Sequence, residues 1–334
     1  MQRNVYFGLL ALGLVLFGAN IWGYDVWPPD EPRFAQAARE ILESGDWLVL
    51  RTNGEPYLEK PPGLMWGIAA ASWLAGEVTP WTARLPSVLA ALVVLACTVS
   101  LANRIYGPQT GWWAGLVLMT SVRFWWQART GQTDMLLTAG MAAALWAAWR
   151  WHESRRTAWL VALWAAVAFG LYAKGPPALL FPLLLLFTFY WGKREDRRAT
   201  HWLAGVLAGV ALLGLWAVPA RMAVQEELAK GPAAALGSEL WRQIIGRAFL
   251  GVSKANWPWE YIFDLPVDWL PWSLFLPWIV LYVWRNRRAD EGARFLLSWV
   301  VPAFIAFSLI IGKRAQYLLP LAPALAILAA HSIE

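Results

Sequence analysis

Long apolar runs, separated by short charged segments, dominate the chain. Most are close to the ~20 residues that an α-helix needs to cross a bilayer. The three shortest runs are Gly111–Trp126, Met135–Trp149 and Trp269–Trp284. The first of these contains a charged residue, Arg123. The pattern predicts ten transmembrane helices. They are Val5–Trp22, Leu85–Asn103, Gly111–Trp126, Met135–Trp149, Thr157–Ala173, Gly175–Gly192, Thr200–Ala220, Trp269–Trp284, Phe295–Gly312 and Ala315–Ile333.

Composition supports this interpretation. Only 15% of the 334 residues are charged, against about 25% in a typical soluble domain. Hydrophobic residues make up 59%, and many of the 26 tryptophans lie near the ends of the apolar runs, where interfacial belts are found. These values argue against a disordered chain, a coiled coil and an ordinary cytosolic enzyme. We predict an all-α polytopic protein forming one membrane domain over residues 1–334.

Basic clusters between the runs set the expected orientation, because cytoplasmic loops of membrane proteins are enriched in Lys and Arg. The clusters are Arg150/Arg155/Arg156, Lys193/Arg194/Arg197/Arg198 and Arg285/Arg287/Arg288/Arg294. Since an even number of runs separates consecutive clusters, all three are expected in the cytoplasm. Two long loops, residues 24–84 and 221–268, are then expected on the outer face of the cytoplasmic membrane.

The first outer loop is predicted to contain two juxtamembrane helices. Asp30 and Glu31 precede Pro32, and an apolar face follows at helical spacing. Its members are Phe34, Ala37, Ala38, Ile41 and Leu42. We expect this amphipathic helix to lie on the membrane surface. A second helix, Pro61–Gly76, is too short to span and is expected to lie at or dip into the surface.

Charged residues in the outer loops are the candidates for chemistry. Asp30 is either a helix cap or a carboxylate that takes a proton from an attacking hydroxyl. Glu59 and Lys60 precede two prolines. Lys60 either snorkels to the interface or binds a phosphate. Asp134 is expected to be structural, either as another helix cap or by pairing with Arg33 or Arg129.

Other basic residues lie at turns between apolar runs. Lys174 lies between two apolar runs, where a lone Lys is costly enough to suggest a function. It also precedes Gly-Pro-Pro, a tight turn that itself favours a polar residue. Arg242 and Arg247 are either phosphate ligands or the exposed face of an amphipathic helix. Lys313 and Arg314 face outward, against the positive-inside bias, and an anionic lipid headgroup would explain them. No Walker or Rossmann glycine pattern occurs, which argues against nucleotide binding.

Metal binding has little support in the sequence. Cys97 is the single cysteine, and the three histidines are far apart. Neither a disulfide nor a histidine-rich metal site is therefore expected.

Several short motifs, in this order, resemble a known family. They include Asp-Glu-Pro-Arg-Phe-Ala (30–35), Asn-Gly-Glu-Pro-Tyr-Leu-Glu-Lys-Pro-Pro (53–62), Thr-Asp-Met (133–135), Ala-Lys-Gly-Pro (173–176) and Gly-Lys-Arg-Ala-Gln-Tyr-Leu-Leu-Pro (312–320). Together they resemble the GT-C glycosyltransferases related to bacterial aminoarabinose transferases and protein O-mannosyltransferases. The resemblance implies a polyprenyl-phosphate-linked sugar donor, a glycolipid or protein acceptor and no nucleic-acid partner.

The resemblance also implies roles for individual residues. Asp30 takes the position of the catalytic carboxylate, Lys60 that of a lipid-phosphate ligand, and Arg247 assists the phosphate. Further substrate-binding candidates are Glu31, Arg33, Glu59, Lys174, Lys313 and Tyr317. Relatives that bind a metal beside the Glu of the Glu-Lys motif use a histidine that residues 241–260 lack, so a metal at Glu59 is doubtful. The C-terminal extracytoplasmic domain of relatives is expected to be absent or truncated.

Two other functions fit the composition. A lipid or solute transporter also binds anionic ligands, but its ionisable residues usually lie near the membrane midplane. A structural membrane subunit leaves the Asp-Glu-Pro-Arg and Glu-Lys-Pro-Pro loops unexplained.

Overall fold

The described part of the protein is mainly helical. A computed structural model describes residues 2–190, 199–229, 257–286 and 289–333. The helices are α1 (Gln2–Gly18), α2 (Asp30–Ser44), α3 (Gly63–Ala75), α4 (Pro80–Ile105), α5 (Pro108–Thr120), α6 (Val122–Ala128), α7 (Thr133–Ser154), α8 (Thr157–Lys174), α9 (Pro177–Leu185), α10 (Ala199–Ala229), α11 (Glu260–Asp268), α12 (Leu276–Asn286), α13 (Glu291–Leu309) and α14 (Ala322–Ile333). A π-helical turn, Leu186–Tyr190, extends α9, and 3₁₀ turns at Trp272–Phe275 and Ala315–Leu321 precede α12 and α14.

All ten predicted runs contain helix, although two of them are interrupted. The run Gly111–Trp126 breaks at Ser121, between α5 and α6. The run Trp269–Trp284 belongs to a pair of segments, Glu260–Asp268 and Trp272–Asn286, that bend by 115°. Within the described ranges, five helices are long and apolar enough to cross a membrane, or six if the bent pair is one span. The all-α polytopic class is confirmed, and the number of ten spans stays a prediction.

Helices α7 and α8 form a tight antiparallel pair. Small residues allow the close approach: a Cβ atom added to Gly140 would lie 2.8 Å from the carbonyl oxygen of Ala166. Because the helices are antiparallel, the start of α7 lies beside the end of α8. Asp134 and Lys174, at these two ends, are thereby brought together.

The apolar face of α2 is buried in protein. Phe34, Ala37, Ala38 and Ile41 are at most 3% exposed and belong to the main hydrophobic core, where α2 packs against α3, α4 and β1 (Arg51–Thr52). The predicted helix is present and its apolar face packs against protein, while its position at the membrane surface stays a prediction. Burial against α3 and α4 removes the same apolar surface from water.

A short hairpin connects α2 to α3. Strand β1 pairs antiparallel with β2 (Glu55–Pro56) around Asn53 and Gly54, which both have positive φ angles, as a type I′ turn requires. Glu40 on α2 accepts hydrogen bonds from both turn amides, at 2.6 and 3.1 Å. The hairpin is therefore fixed to α2, and Glu59 and Lys60 follow it directly.

The α7–α8 contact can be tested with alanine substitutions. Gly140→Ala places a methyl group against a backbone carbonyl and should destabilise the protein by about 1–3 kcal/mol. Gly8→Ala is the matched control, since nothing lies within 4 Å of its added Cβ. Thermal unfolding in detergent should show a lower midpoint for Gly140→Ala alone. Equal midpoints for the two variants would contradict the described packing.

Candidate active site

A fully buried ion pair fixes the loop that precedes the site. Arg84, 0% exposed, donates to both carboxylate oxygens of Glu31, 1% exposed, at 3.1 and 2.9 Å. The same guanidinium donates to the backbone carbonyls of Ile21, Tyr24 and Asp25, at 2.7 to 2.9 Å. Every donor direction of Arg84 is thus used, which a buried charge requires.

Glu31 also connects this loop to the segment before α7. Its carboxylate accepts hydrogen bonds from the backbone amides of Trp27 and Gly131. A Cβ atom at position 131 would lie 2.7 Å from the carbonyl oxygen of Ala83, so the close approach requires glycine. The start of α2 is therefore held against α4 and against the residues that lead into α7.

Asp30, the neighbour of Glu31, points into a cavity instead. It is the first residue of α2, and the N-cap position before it is occupied by Pro29, so Asp30 is not the N-cap residue. Its Oδ2 atom accepts a hydrogen bond from Arg314 Nη1 at 3.0 Å, and the side chain is 18% exposed. A carboxylate thus lies at the mouth of the cavity with access to solvent.

The hairpin side of the cavity carries mixed charge. Glu59 Oε2 lies 3.7 Å from Arg33 Nη1, and Lys60 follows Glu59 in the lining. Burial, together with the negative charge of Glu59, raises the pKa of Tyr57 to about 12. Tyr57 is therefore a neutral hydroxyl at physiological pH.

The opposite side is formed by the ends of α7 and α8. Lys174, the last residue of α8, pairs with Asp134 near the start of α7, and both side chains are 8% exposed. The Lys174 ammonium also lies 4.2 Å from the centre of the Tyr317 ring, within cation–π range. Asp134 was expected to pair with Arg33 or Arg129, and that expectation is wrong. Arg129 instead donates to the Leu16 carbonyl.

These side chains line one polar cavity of about 460 Å³, counting its open mouth. The lining consists of Asp30, Arg33, Phe34, Tyr57, Glu59, Lys60, Gln132, Thr133, Asp134, Lys174, Arg314, Gln316 and Tyr317. An adjoining groove of about 1630 Å³, open solvent included, is bordered by α9, α10, α13 and residues 58–61. It is lined largely by apolar residues, including Leu180, Leu213, Trp216 and Phe307. Glu59, Lys60, Lys174 and Tyr317 line both spaces.

The structure brings together most of the predicted site residues. Asp30, Arg33, Glu59, Lys60, Asp134, Lys174 and Tyr317 share the polar cavity. Glu31 does not line it, because its carboxylate is buried against Arg84. Lys313 does not line it either, since it is 3% exposed and its ammonium donates to the Ile310 carbonyl. Arg242 and Arg247 lie outside the described residues.

Arg314, which the sequence offered beside Lys313 only as a possible ligand of an anionic headgroup, also lines the cavity and pairs with Asp30. It follows Lys313 in the same motif, and its outward placement was the available signal. Two adjacent basic residues gave no indication of which one faces the cavity.

Within the described ranges, no group of three or more His, Cys, Asp or Glu side chains is arranged to hold a metal ion.

Comparison with known proteins places this site in context. A family model described as dolichyl-phosphate-mannose-protein mannosyltransferase matches residues 59–217. One relative, from Edwardsiella ictaluri (strain 93-146), is described as undecaprenyl phosphate-alpha-4-amino-4-deoxy-L-arabinose arabinosyl transferase. It is 29% identical over 98% of this chain and 59% of its own length. A relative from Sodalis glossinidius (strain morsitans), described as transferase 1 of the same name, is 31% identical over 100% of this chain and 60% of its own length. The chain spans about three fifths of the length of these relatives.

Solved structures show the same fold. ArnT from Cupriavidus metallidurans bound to undecaprenyl phosphate has a TM-score of 0.80 at 26% identity, covering 97% of this chain and 59% of that chain. The archaeal oligosaccharyltransferase AglB from Archaeoglobus fulgidus has a TM-score of 0.65 at 12% identity, covering 99% and 50%. The resemblance to the GT-C glycosyltransferases is thereby confirmed. The chain has their membrane fold.

The buried ion pair should dominate the stability of this region. Glu31→Gln leaves the Arg84 charge buried and uncompensated, which costs about 3–5 kcal/mol. Glu153→Gln is the control, because it breaks a partly exposed pair with Arg104 worth no more than about 1 kcal/mol. Thermal unfolding followed by tryptophan fluorescence should separate the two variants clearly. Similar unfolding midpoints would contradict the proposed contribution of the buried ion pair to stability.

Proposed function

We propose that the protein is a glycosyltransferase that moves a sugar from a polyprenyl-phosphate donor to an acceptor hydroxyl or phosphate. The observation that carries this proposal is the meeting of two spaces at one set of residues. An apolar groove suits a polyprenyl chain, and the polar cavity beside it suits a sugar and its acceptor. Lys60 and Lys174 line both spaces, where the phosphate of such a donor would lie.

The relatives indicate which sugar donor should be tested first. The transferases from Edwardsiella ictaluri and Sodalis glossinidius are described as using undecaprenyl phosphate-alpha-4-amino-4-deoxy-L-arabinose, whose sugar is a pentose. We therefore propose a pentosyl or hexosyl donor on undecaprenyl phosphate. The site is proposed to face the exterior or periplasmic side of the cytoplasmic membrane, as the basic clusters predict.

The proposed reaction is a direct displacement at the anomeric carbon. The acceptor oxygen attacks this carbon, its proton passes to Asp30, and the bond from the carbon to the lipid-phosphate oxygen breaks. The electron pair of that bond leaves with the phosphate, where Lys60 stabilises the developing charge. One displacement inverts the anomeric configuration. If the attacking oxygen belongs to a phosphate instead of a hydroxyl, no proton is transferred, and Asp30 acts electrostatically. Arg247 stays a further predicted phosphate ligand.

The positions of the charged residues favour a transferase over a transporter. Asp30 begins α2, Asp134 is the second residue of α7, and Lys174 ends α8. A transporter site typically lies near the middle of its spans, at discontinuous helices. The polar cavity instead lies where several helices begin or end, as expected for chemistry at a membrane surface.

The role of Asp30 is tested by Asp30→Asn in the purified protein, reconstituted with the undecaprenyl-phosphate aminoarabinose donor and an envelope glycolipid acceptor. Loss of the base should lower the transfer rate by at least about 100-fold, while Asn keeps an oxygen for Arg314. Asp25→Asn, an exposed acid of the same loop, is the control and should transfer normally. Wild-type rates with Asp30→Asn would remove Asp30 from the chemistry.

The role of Lys60 is tested by binding of undecaprenyl phosphate to Lys60→Ala. Loss of a charge-assisted hydrogen bond should weaken binding by about 10-fold or more. Arg39→Ala removes an exposed basic side chain of α2 and controls for surface charge. Titration in detergent micelles measures both affinities. An unchanged affinity for Lys60→Ala would exclude Lys60 as a phosphate ligand.

A further inference from the structure

Arg314 connects the last interhelical loop to Asp30, 284 residues away in the sequence. Its Nη1 atom donates to Asp30 Oδ2 at 3.0 Å. Among the described residues, the Asp30 side chain makes this one hydrogen bond, and its Oδ1 atom accepts none. One carboxylate oxygen is therefore held, and the other stays available to a group in the cavity.

The backbone of Arg314 is anchored independently of its side chain. The hydroxyl of Tyr261, on α11, donates to the Arg314 carbonyl at 3.1 Å, and Tyr261 is fully buried. The amide of Tyr317 donates to the same carbonyl at 2.9 Å. The neighbouring Lys313 is buried with its ammonium on the Ile310 carbonyl. Arg314 thus extends from a fixed point of the backbone toward Asp30.

The other arginine of the cavity is engaged elsewhere. Arg33 lies 3.7 Å from Glu59, on the hairpin side. A carboxylate that must accept a proton works best when its orientation is set before the substrate arrives, since a displacement of about 1 Å can cost about 100-fold in rate. Arg314 is placed to set this orientation.

We propose that Arg314 is a positioning residue for Asp30 and that Tyr261 supports it through the Arg314 carbonyl. This inference rests on the proposed catalytic role of Asp30. The guanidinium holds Oδ2, and Oδ1 receives the proton of the acceptor hydroxyl. Arg314 keeps its own protons throughout, so the transferred proton ends on Asp30 and the electron pair leaves with the lipid phosphate.

An ordinary surface ion pair predicts a different outcome. The Arg314 side chain is 46% exposed, and pairs of this kind add little to stability. If the pair were only that, removing Arg314 would change neither unfolding nor turnover. If Arg314 positions Asp30, turnover falls while stability and donor affinity stay the same.

The test measures kcat and donor KM for Arg314→Gln, Arg314→Lys and Tyr261→Phe, with Arg39→Gln as the exposed-arginine control. Arg314→Gln should lower kcat by about 100-fold while donor KM changes by less than about threefold. Arg314→Lys should recover part of the loss, and Tyr261→Phe should lower kcat by a smaller factor. Arg39→Gln should match the wild type.

Chemical rescue separates positioning from a folding defect. Added guanidinium should raise the turnover of Arg314→Ala and leave Arg39→Ala unchanged. Wild-type kcat in Arg314→Gln, or a loss confined to donor KM, would overturn the inference while leaving the proposed transferase intact. A loss of kcat in Arg314→Ala that guanidinium does not restore would also overturn it. Absence of transfer by the wild-type protein would overturn the proposed function, and this inference with it.

Discussion

The buried pair between Glu31 and Arg84 is the constraint on which the site depends. Arg84 lies in the second turn of α4 and joins three backbone carbonyls of the preceding loop to a carboxylate at the start of α2. An ion pair without water is tolerated only when each polar atom has a partner. Glu31 meets this condition through backbone amides on both sides. The loop, α2, α4 and the segment before α7 are thereby held together.

The membrane environment explains why the charges gather at helix ends. A charged side chain in the middle of a span is costly, whereas the end of a helix offers polar groups and water. The antiparallel packing of α7 and α8 then brings Asp134 beside Lys174, and the buried pair brings Asp30 to the same place. The polar cavity results from helices that end together, and the apolar groove results from the helix faces beside it.

The sequence predicted the helices and most of the charged lining, because apolar runs and charged motifs are local signals; it did not predict the hairpin. It did not predict the pairing, because partners such as Asp30 and Arg314 are separated by 284 residues. Asp30 and Glu31 show the limit most clearly. They are adjacent acids about 100° apart around one helix, and nothing local indicates that Glu31 is buried while Asp30 faces the cavity. The sequence likewise did not distinguish Arg314 from Lys313, since these two adjacent residues are equally basic.

The charge of the polar cavity fits the proposed reaction. Three carboxylates (Asp30, Glu59, Asp134) and four basic side chains (Arg33, Lys60, Lys174, Arg314) line it, a formal excess of one positive charge. A phosphodiester donor carries one negative charge, and the departing phosphate monoester carries up to about two. When Asp30 accepts a proton, the cavity loses one negative charge just as the phosphate gains one. The electrostatic attraction therefore grows along the reaction, which is the condition for stabilising the transition state more than the bound donor.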